Sequence, residues 1–148
     1  MKRYEGEHIE VTYDAAPCLH AAECVRGLPA VFDTAKRPWF APDAADADAL
    51  AAVIRRCPTS ALHYRLREGQ PERPLVPTRV RLAEDGPLLL DGDLELDGKR
   101  ETRAAICRCG QSSNQPYCDR SGPVSGMGVR ARPLKMTAAF GDAGTKSG

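Results

Sequence analysis

Six cysteines stand in a chain of 148 residues, and they fall into two groups of three: Cys18, Cys24 and Cys57, then Cys107, Cys109 and Cys118. The second group is the denser, with three cysteines inside twelve residues and two of them separated only by Arg108. Between Cys109 and Cys118 the chain is rich in Gly, Ser, Asn and Pro, which spells a wrapping loop rather than a helix or strand. Such a loop can turn three thiolates toward one point. A disulfide inside a Cys-x-Cys pair is strained, because the bond demands a particular Cβ separation and torsion. Metal ligation makes no such demand, and thiolates select zinc, copper(I) or iron–sulfur clusters.

The run from Cys107 to Gly122 resembles the CDGSH iron–sulfur family. That family's pattern is Cys-x-Cys, a Ser or Thr three places on, a Pro four further, then x-Cys-Asp-Gly, a small residue and His. Cys107, Cys109, Ser112, Pro116, Cys118, Asp119 and Ser121 take their places in it. Arg120 stands at the family's glycine and Gly122 at its histidine. The Gly86-Pro87 turn and Gly92 resemble the family's lead-in, and Gly126-Met127 keeps its register, so the likeness covers about 79–129. It implies a [2Fe-2S] cluster on Cys107, Cys109 and Cys118. The family's fourth ligand is the histidine that Gly122 replaces, which leaves Asp119, Ser121, Ser112, a water or a partner protein for that place.

The first group has its own pattern. Cys18-x-His20-x3-Cys24 is followed at a distance by Cys57-Pro58-Thr59-Ser60-Ala61-Leu62. With Val25-Arg26-Gly27, Arg37-Pro38-Trp39 and Tyr64-Arg65, these residues resemble the divergent single-cluster ferredoxin-like family over residues 4–67. Ordinary ferredoxins supply four thiolates, and here Ala21 holds the middle place, where it cannot ligate. The resemblance therefore implies a cluster on Cys18, Cys24 and Cys57, either [3Fe-4S] or a [4Fe-4S] whose fourth iron takes another ligand. His20, one residue from the open place, is the candidate; its alternative role is that of a donor to a cluster sulfur.

These residues need elements to hold them. Residues 8–13 alternate apolar and polar and read as a strand, and a helical turn over 18–24 is stopped by Gly27 and Pro29. Trp39 to Ala41 suits a short strand. A helix runs from Pro42-Asp43 to about Arg56, with Asp43 as its cap, and Leu50, Ile54 and Cys57 on one face. Residues 61–67 form another strand. The order β-α-(β)-α-β suits a small ferredoxin-like unit in residues 1–67. Residues 68–78 carry three prolines and read as a semi-extended linker. Short strands follow in a second unit at 79–129, with hairpin signals at Asp91-Gly92 and a further turn at Asp97-Gly98, before a loose tail over 130–148. The expected class is α+β: a ferredoxin-like β-α-β-α-β unit, then a small β-rich cluster-binding domain.

Composition narrows the function. Net charge is +1, and no basic stretch is long enough for nucleic acid. No apolar run reaches the length of a membrane span, and Met1 to Glu7 has no signal-peptide core. A cytoplasmic location follows as the expectation, and cysteines there favour metal or redox chemistry over structural disulfides. With only three histidines, none after His63, there is no acid, base or nucleophile set of an ordinary enzyme. His8 and His63 read as surface residues on strand edges, and Trp39 as core or as a lid over the first cluster. The reading is a two-cluster protein, not an enzyme, passing single electrons between a reductase and an acceptor. Cluster storage or delivery, and a zinc-binding interaction module, are the alternatives.

Overall fold

The structure, a computed structural model, describes residues 1–69 and 71–122. Residues 123–129 of the second unit, with Gly126-Met127, and the tail over 130–148 lie outside the described residues. Two three-stranded antiparallel sheets carry the chain, each with its own apolar core.

The first sheet contains β1 (Lys2–Glu5), β2 (Ile9–Tyr13) and β3 (Leu62–Leu66) in the order β1-β2-β3. Ile9 and Val11 alternate inward from β2, and Leu62 and Tyr64 meet them from β3. Between β2 and β3 run a short helix α1 (Glu23–Gly27), a 3-10 turn (Pro42–Ala44) and helix α2 (Ala47–Ile54). The order is thus β-β-α-α-β with every pair antiparallel. The N-terminal strand is an addition to the expected β-α-(β)-α-β order, and Trp39–Ala41 contributes only a bridge between Phe32 and Phe40.

The long helix expected from Asp43 is shorter, because Ala45 is extended and breaks it. Asp46 is the cap, accepting from Asp48 N at 3.1 Å and Ala49 N at 3.3 Å. Asp43 does another job: its carboxylate accepts from Glu7 N at 2.7 Å, tying the β1–β2 turn to the 3-10 segment. Leu50 and Ile54, both fully buried, drive α2 onto the sheet and each add about 1.5–3 kcal/mol. Cys57 follows at the helix end, its N–H bonded to Ile54 O at 2.9 Å.

The second sheet has the order β4 (Arg79–Leu82), β5 (Leu88–Leu96) and β6 (Lys99–Ile106). Asp91-Gly92 is not a hairpin turn. It lies inside β5 as an irregularity of register against β6, between Asp91 and Leu94. Glycine is needed there because a Cβ would run into the Thr78 side chain, 2.7 Å from its Cβ. The hairpin turn is Asp97-Gly98, both at positive φ (49° and 79°), the geometry that matches strand twist. Leu90, Leu94, Leu96, Ala104 and Ile106 form the core of this half.

The connecting segment is pinned rather than free. Arg103, 3% exposed on β6, reaches back to the first half: Nη2 donates to Leu62 O at 2.7 Å and Nε to Thr59 O at 3.4 Å. Ser60 Oγ donates to Arg103 O. Glu72, in the segment between the sheets, takes Arg103 Nη1 on one carboxylate oxygen and His63 Nδ1, at 2.8 Å, on the other. Among the described residues no helix is long and apolar enough to cross a membrane.

Candidate metal centres

All six cysteines are free thiols, partly buried. Cys57 lies 33 positions beyond Cys24, yet it and Cys18 come near enough to shift the Cys24 thiol, although among the described residues no three His, Cys, Asp or Glu side chains converge on one ion. Cys18 follows β2 through a turn held by Asp14 N to Ala61 O at 2.8 Å and Cys18 N to Ala15 O at 3.2 Å. Cys24 sits in the first turn of α1, and Cys57 caps the far end of α2 with Sγ 3.6 Å from Thr59 Oγ1. The electrostatics report their nearness. Burial pushes the Cys24 thiol up, the Val25 N–H pulls it down, and the charges of Cys57 and Cys18 push it up again.

Tyr13 joins this group from the end of β2. Its hydroxyl is pushed up by burial, then by a hydrogen bond with Cys18 and by the charges of Cys18 and Cys24. Trp39 packs edge-on against Tyr13, ring centres 5.2 Å apart, and bonds Tyr4 Oη through Nε1 at 2.9 Å. It thus backs the residue that touches Cys18, within a cluster of Tyr4, Phe32 and Phe40. His20 is exposed and takes a left-handed conformation (φ 52°), as does Ala22 (φ 60°), so the loop curls between Cys18 and α1.

The second group hangs from the end of β6. Cys107 N bonds Pro116 O at 2.8 Å and Cys118 N bonds Ala105 O at 2.8 Å, so the loop returns alongside the strand that launched it. Cys107 Sγ and Cys109 Sγ are 3.6 Å apart. Burial raises the Cys107 thiol, but the N–H of Ser112, the Cys109 thiol, the N–H of Gly110 and the Gln115 amide outweigh it, and the net shift is downward. Gln115 Nε2 donates to Cys107 Sγ at 3.3 Å. Cys118 is raised by burial, lowered by the Arg120 N–H at 3.4 Å, and raised again by Cys107, Cys109 and Asp119. Three sulfurs, two of them (Cys107 and Cys118) with N–H donors aimed at them, form the kind of donor set that iron–sulfur clusters use.

The loop's other residues serve its shape. Asp119 is held well below the usual carboxylate range by Ser121 Oγ and by the Ser113 and Ser121 N–H groups. Ser112 Oγ, buried, donates to Tyr117 O at 2.6 Å. Arg120 has φ 62°, so the left-handed turn that suits the family's glycine is kept with a side chain on it. Arg108, between the paired cysteines, spans back to Ala83 O at 3.2 Å and Gly86 O at 3.1 Å. Tyr117 packs on the second core, its hydroxyl pushed up to about 12 by burial and by Glu101. His63, expected as ordinary surface, is half-buried with Nδ1 hydrogen-bonded to Glu72 Oε2 at 2.8 Å.

A cleft of about 450 Å³ opens between the halves beside Cys57, with Ala21, Arg55, Arg56, Arg81 and Arg103 among its lining residues. Its lining takes in Ala21, the open place of the first group, and carries Glu23 and Asp91 beside the four arginines. Sequence reasoning missed Tyr13, Gln115, Glu72 and Arg103: Gln115 fills an unspecified place inside the cysteine run, Tyr13 stands five residues before the first pattern, and the Glu72–Arg103 contact spans 31 positions.

Comparison with known proteins agrees with this division. Residues 4–67 match the family described as divergent 4Fe-4S mono-cluster, and residues 85–121 match iron-binding zinc finger CDGSH type. The uncharacterized protein YjdI from Escherichia coli (strain K12) is 42% identical over 62 residues, which is 42% of this chain and 82% of the relative. YjdI from Escherichia coli O157:H7 gives the same values, 42% over 62 residues. No solved structure matches the chain.

Proposed function

Because this chain belongs to the divergent 4Fe-4S mono-cluster family and carries a CDGSH-type iron-binding domain behind that unit, we propose that it is a two-cluster electron carrier. Cys18, Cys24 and Cys57 hold the first cluster, and Cys107, Cys109 and Cys118 hold the second. With Ala21 at the open place, the first is [3Fe-4S], or a [4Fe-4S] that takes His20 or an outside group on one iron. The second is [2Fe-2S]. The observation that carries the reading is the set of donors at the second group: Gln115 Nε2 donates to Cys107 Sγ at 3.3 Å and the Arg120 N–H to Cys118 Sγ at 3.4 Å. Hydrogen bonds to ligand sulfur stabilise the added electron and so set the potential.

A cluster supplies a one-electron site when bound; the chain's residues hold it, shield it and tune it. Trp39 and Tyr13 exclude water from one side of the first group. The arginine-lined cleft faces an acidic patch on a redox partner, a reductase or an acceptor, and steers the encounter. On this reading the protein is a carrier and not an enzyme, and its six free thiols suit the reducing cytoplasm.

Zinc is the competing occupant, since thiolates bind it as readily as they bind iron–sulfur clusters. Cluster delivery to an apo-acceptor is favoured by one feature, Gly122 at the family's histidine place, and a transfer assay separates it from electron carriage. Iron and acid-labile sulfide per chain, measured on anaerobically purified brown protein, tests the main reading. A colourless protein holding stoichiometric zinc overturns it.

A further inference from the structure

A [2Fe-2S] cluster takes four protein ligands, and the second group supplies three. The loop's obvious oxygen donors are already engaged. Asp119 Oδ2 accepts from Ser113 N and Oγ, both at 2.9 Å, and Oδ1 accepts from Ser121 N at 2.9 Å and from Ser121 Oγ. Ser112 Oγ donates to Tyr117 O at 2.6 Å and accepts from Asn114 N at 3.1 Å. Moving either residue to iron would dismantle the loop that aims the cysteines.

Gln111 is different. It is exposed and its side-chain amide makes no hydrogen bond among the described residues, but the amide end lies against Gly122. A β-carbon on Gly122 would overlap Gln111 Oε1, and would lie 2.8 Å from Gln111 Cδ and 3.1 Å from Cys109 Sγ. The amide carbonyl and the Cys109 sulfur therefore border one small volume, the one in which any side chain of residue 122 would begin. Ser121 Oγ, 3.2 Å from Gln111 O, holds the two stretches of loop together. Any larger residue at position 122 would displace the amide.

We propose that the Gln111 side-chain oxygen is the fourth ligand of the second cluster, filling the volume that Gly122 leaves open. This rests on the reading that the second group carries a [2Fe-2S] cluster. In the binding step Oε1 donates a lone pair to iron and a bound water leaves; no electron is transferred. A neutral amide keeps the ligand set at the three negative charges of its thiolates, whereas a carboxylate or alkoxide would add a fourth. It also has no proton to gain or lose near neutral pH, so the site's potential carries no ligand-linked pH step.

The test uses the full-length holoprotein made with isotopically labelled glutamine, and reads hyperfine coupling in the reduced-state EPR signal together with the lifetime of the cluster. Wild type is expected to show coupling to a glutamine side chain. Gln111→Ala should lose the strong coupling of a bound carbonyl, keep only the weak one that Gln115 gives through its hydrogen bond to Cys107 Sγ, and shed its cluster at least about tenfold faster. Gln111→His, made with labelled histidine, should bring nitrogen coupling from the new ring. If Gln111→Ala keeps the wild-type signal and lifetime, or Gln111→His shows no nitrogen coupling, residue 111 does not reach iron and the assignment falls. If wild type holds no iron and sulfide at this site, the two-cluster reading itself has failed, and the assignment with it.

Discussion

Arg103 and Glu72 form an ion pair in which each side chain is only 4% exposed, and it joins the second sheet to the segment leading out of the first. A buried pair of this kind is expensive to break by halves. Glu72→Gln leaves the Arg103 guanidinium without its counter-charge and should cost about 3–5 kcal/mol, read as a lowered midpoint in urea unfolding followed by circular dichroism. A loss below about 1 kcal/mol would place the pair in water.

The same pair gives the acid limb a sign. Burial raises the Glu72 carboxyl, but the His63 hydrogen bond and the Arg103 charge more than offset it, so its folded value lies below the unfolded one. Its contribution is then in force above the ordinary glutamate value, about 4.3, and drains away as pH falls through the lower folded value. Wild type should lose stability in that window, and Glu72→Gln should lose less there. Equal slopes for both proteins would remove Glu72 from the acid response.

Arg120 occupies left-handed backbone at φ 62°, which costs a residue with a side chain about 1–2 kcal/mol relative to glycine. Arg120→Gly should raise loop stability by up to that amount and slow loss of the second cluster. The Arg120 N–H contact with Cys118 Sγ is main-chain and survives the change. A variant that loses its cluster faster would mean that the arginine side chain itself protects the site.

Gln115 donates to Cys107 Sγ at 3.3 Å. Removing a donor from a ligand sulfur disfavours the reduced state, so Gln115→Ala should lower the potential of the second cluster. One hydrogen bond of about 0.5–1.5 kcal/mol corresponds to roughly 20–60 mV for a one-electron couple. Protein-film voltammetry reads the shift, and an unchanged or raised potential contradicts the assignment.

Ala21→Cys would restore a thiolate at the open place of the first group. Oxidised wild type is expected to give a [3Fe-4S]-type EPR signal unless His20 or another group completes a cubane, and the variant should favour [4Fe-4S]. Cys57→Ser should abolish the first cluster and leave the second cluster's spectrum intact, since the two groups share no cysteine. Joint loss in a folded protein would tie the sites chemically, not only through Arg103.

What was legible in the sequence was chemistry written in local spacing. The cysteines, the helix that ends at Cys57, and the β-rich second half all follow from patterns a few residues long. Asp91-Gly92 misled because its residues suit a hairpin equally well as a strand irregularity, and only packing against Thr78 decides between them. Asp43 misled because an N-cap and a long-range acceptor have the same side chain. The linker's prolines foretold extension but not the burial of Glu72, whose partner lies 31 positions away. Gln111 was invisible for a similar reason: its significance comes from the missing side chain of Gly122.

Arg103 reaches Thr59 O and Leu62 O, just beyond Cys57, while its own strand runs straight on into Cys107. The two metal groups are therefore carried on one frame, each within a few residues of the same guanidinium. On the proposed carrier reading, an electron moving between them would travel inside a single molecule, so that step would be first order and indifferent to protein concentration and salt. Arrival from a partner at the arginine-lined cleft is second order and slows as salt screens it. A stopped-flow trace should therefore split into one phase that responds to ionic strength and one that does not, with the division falling at Arg103.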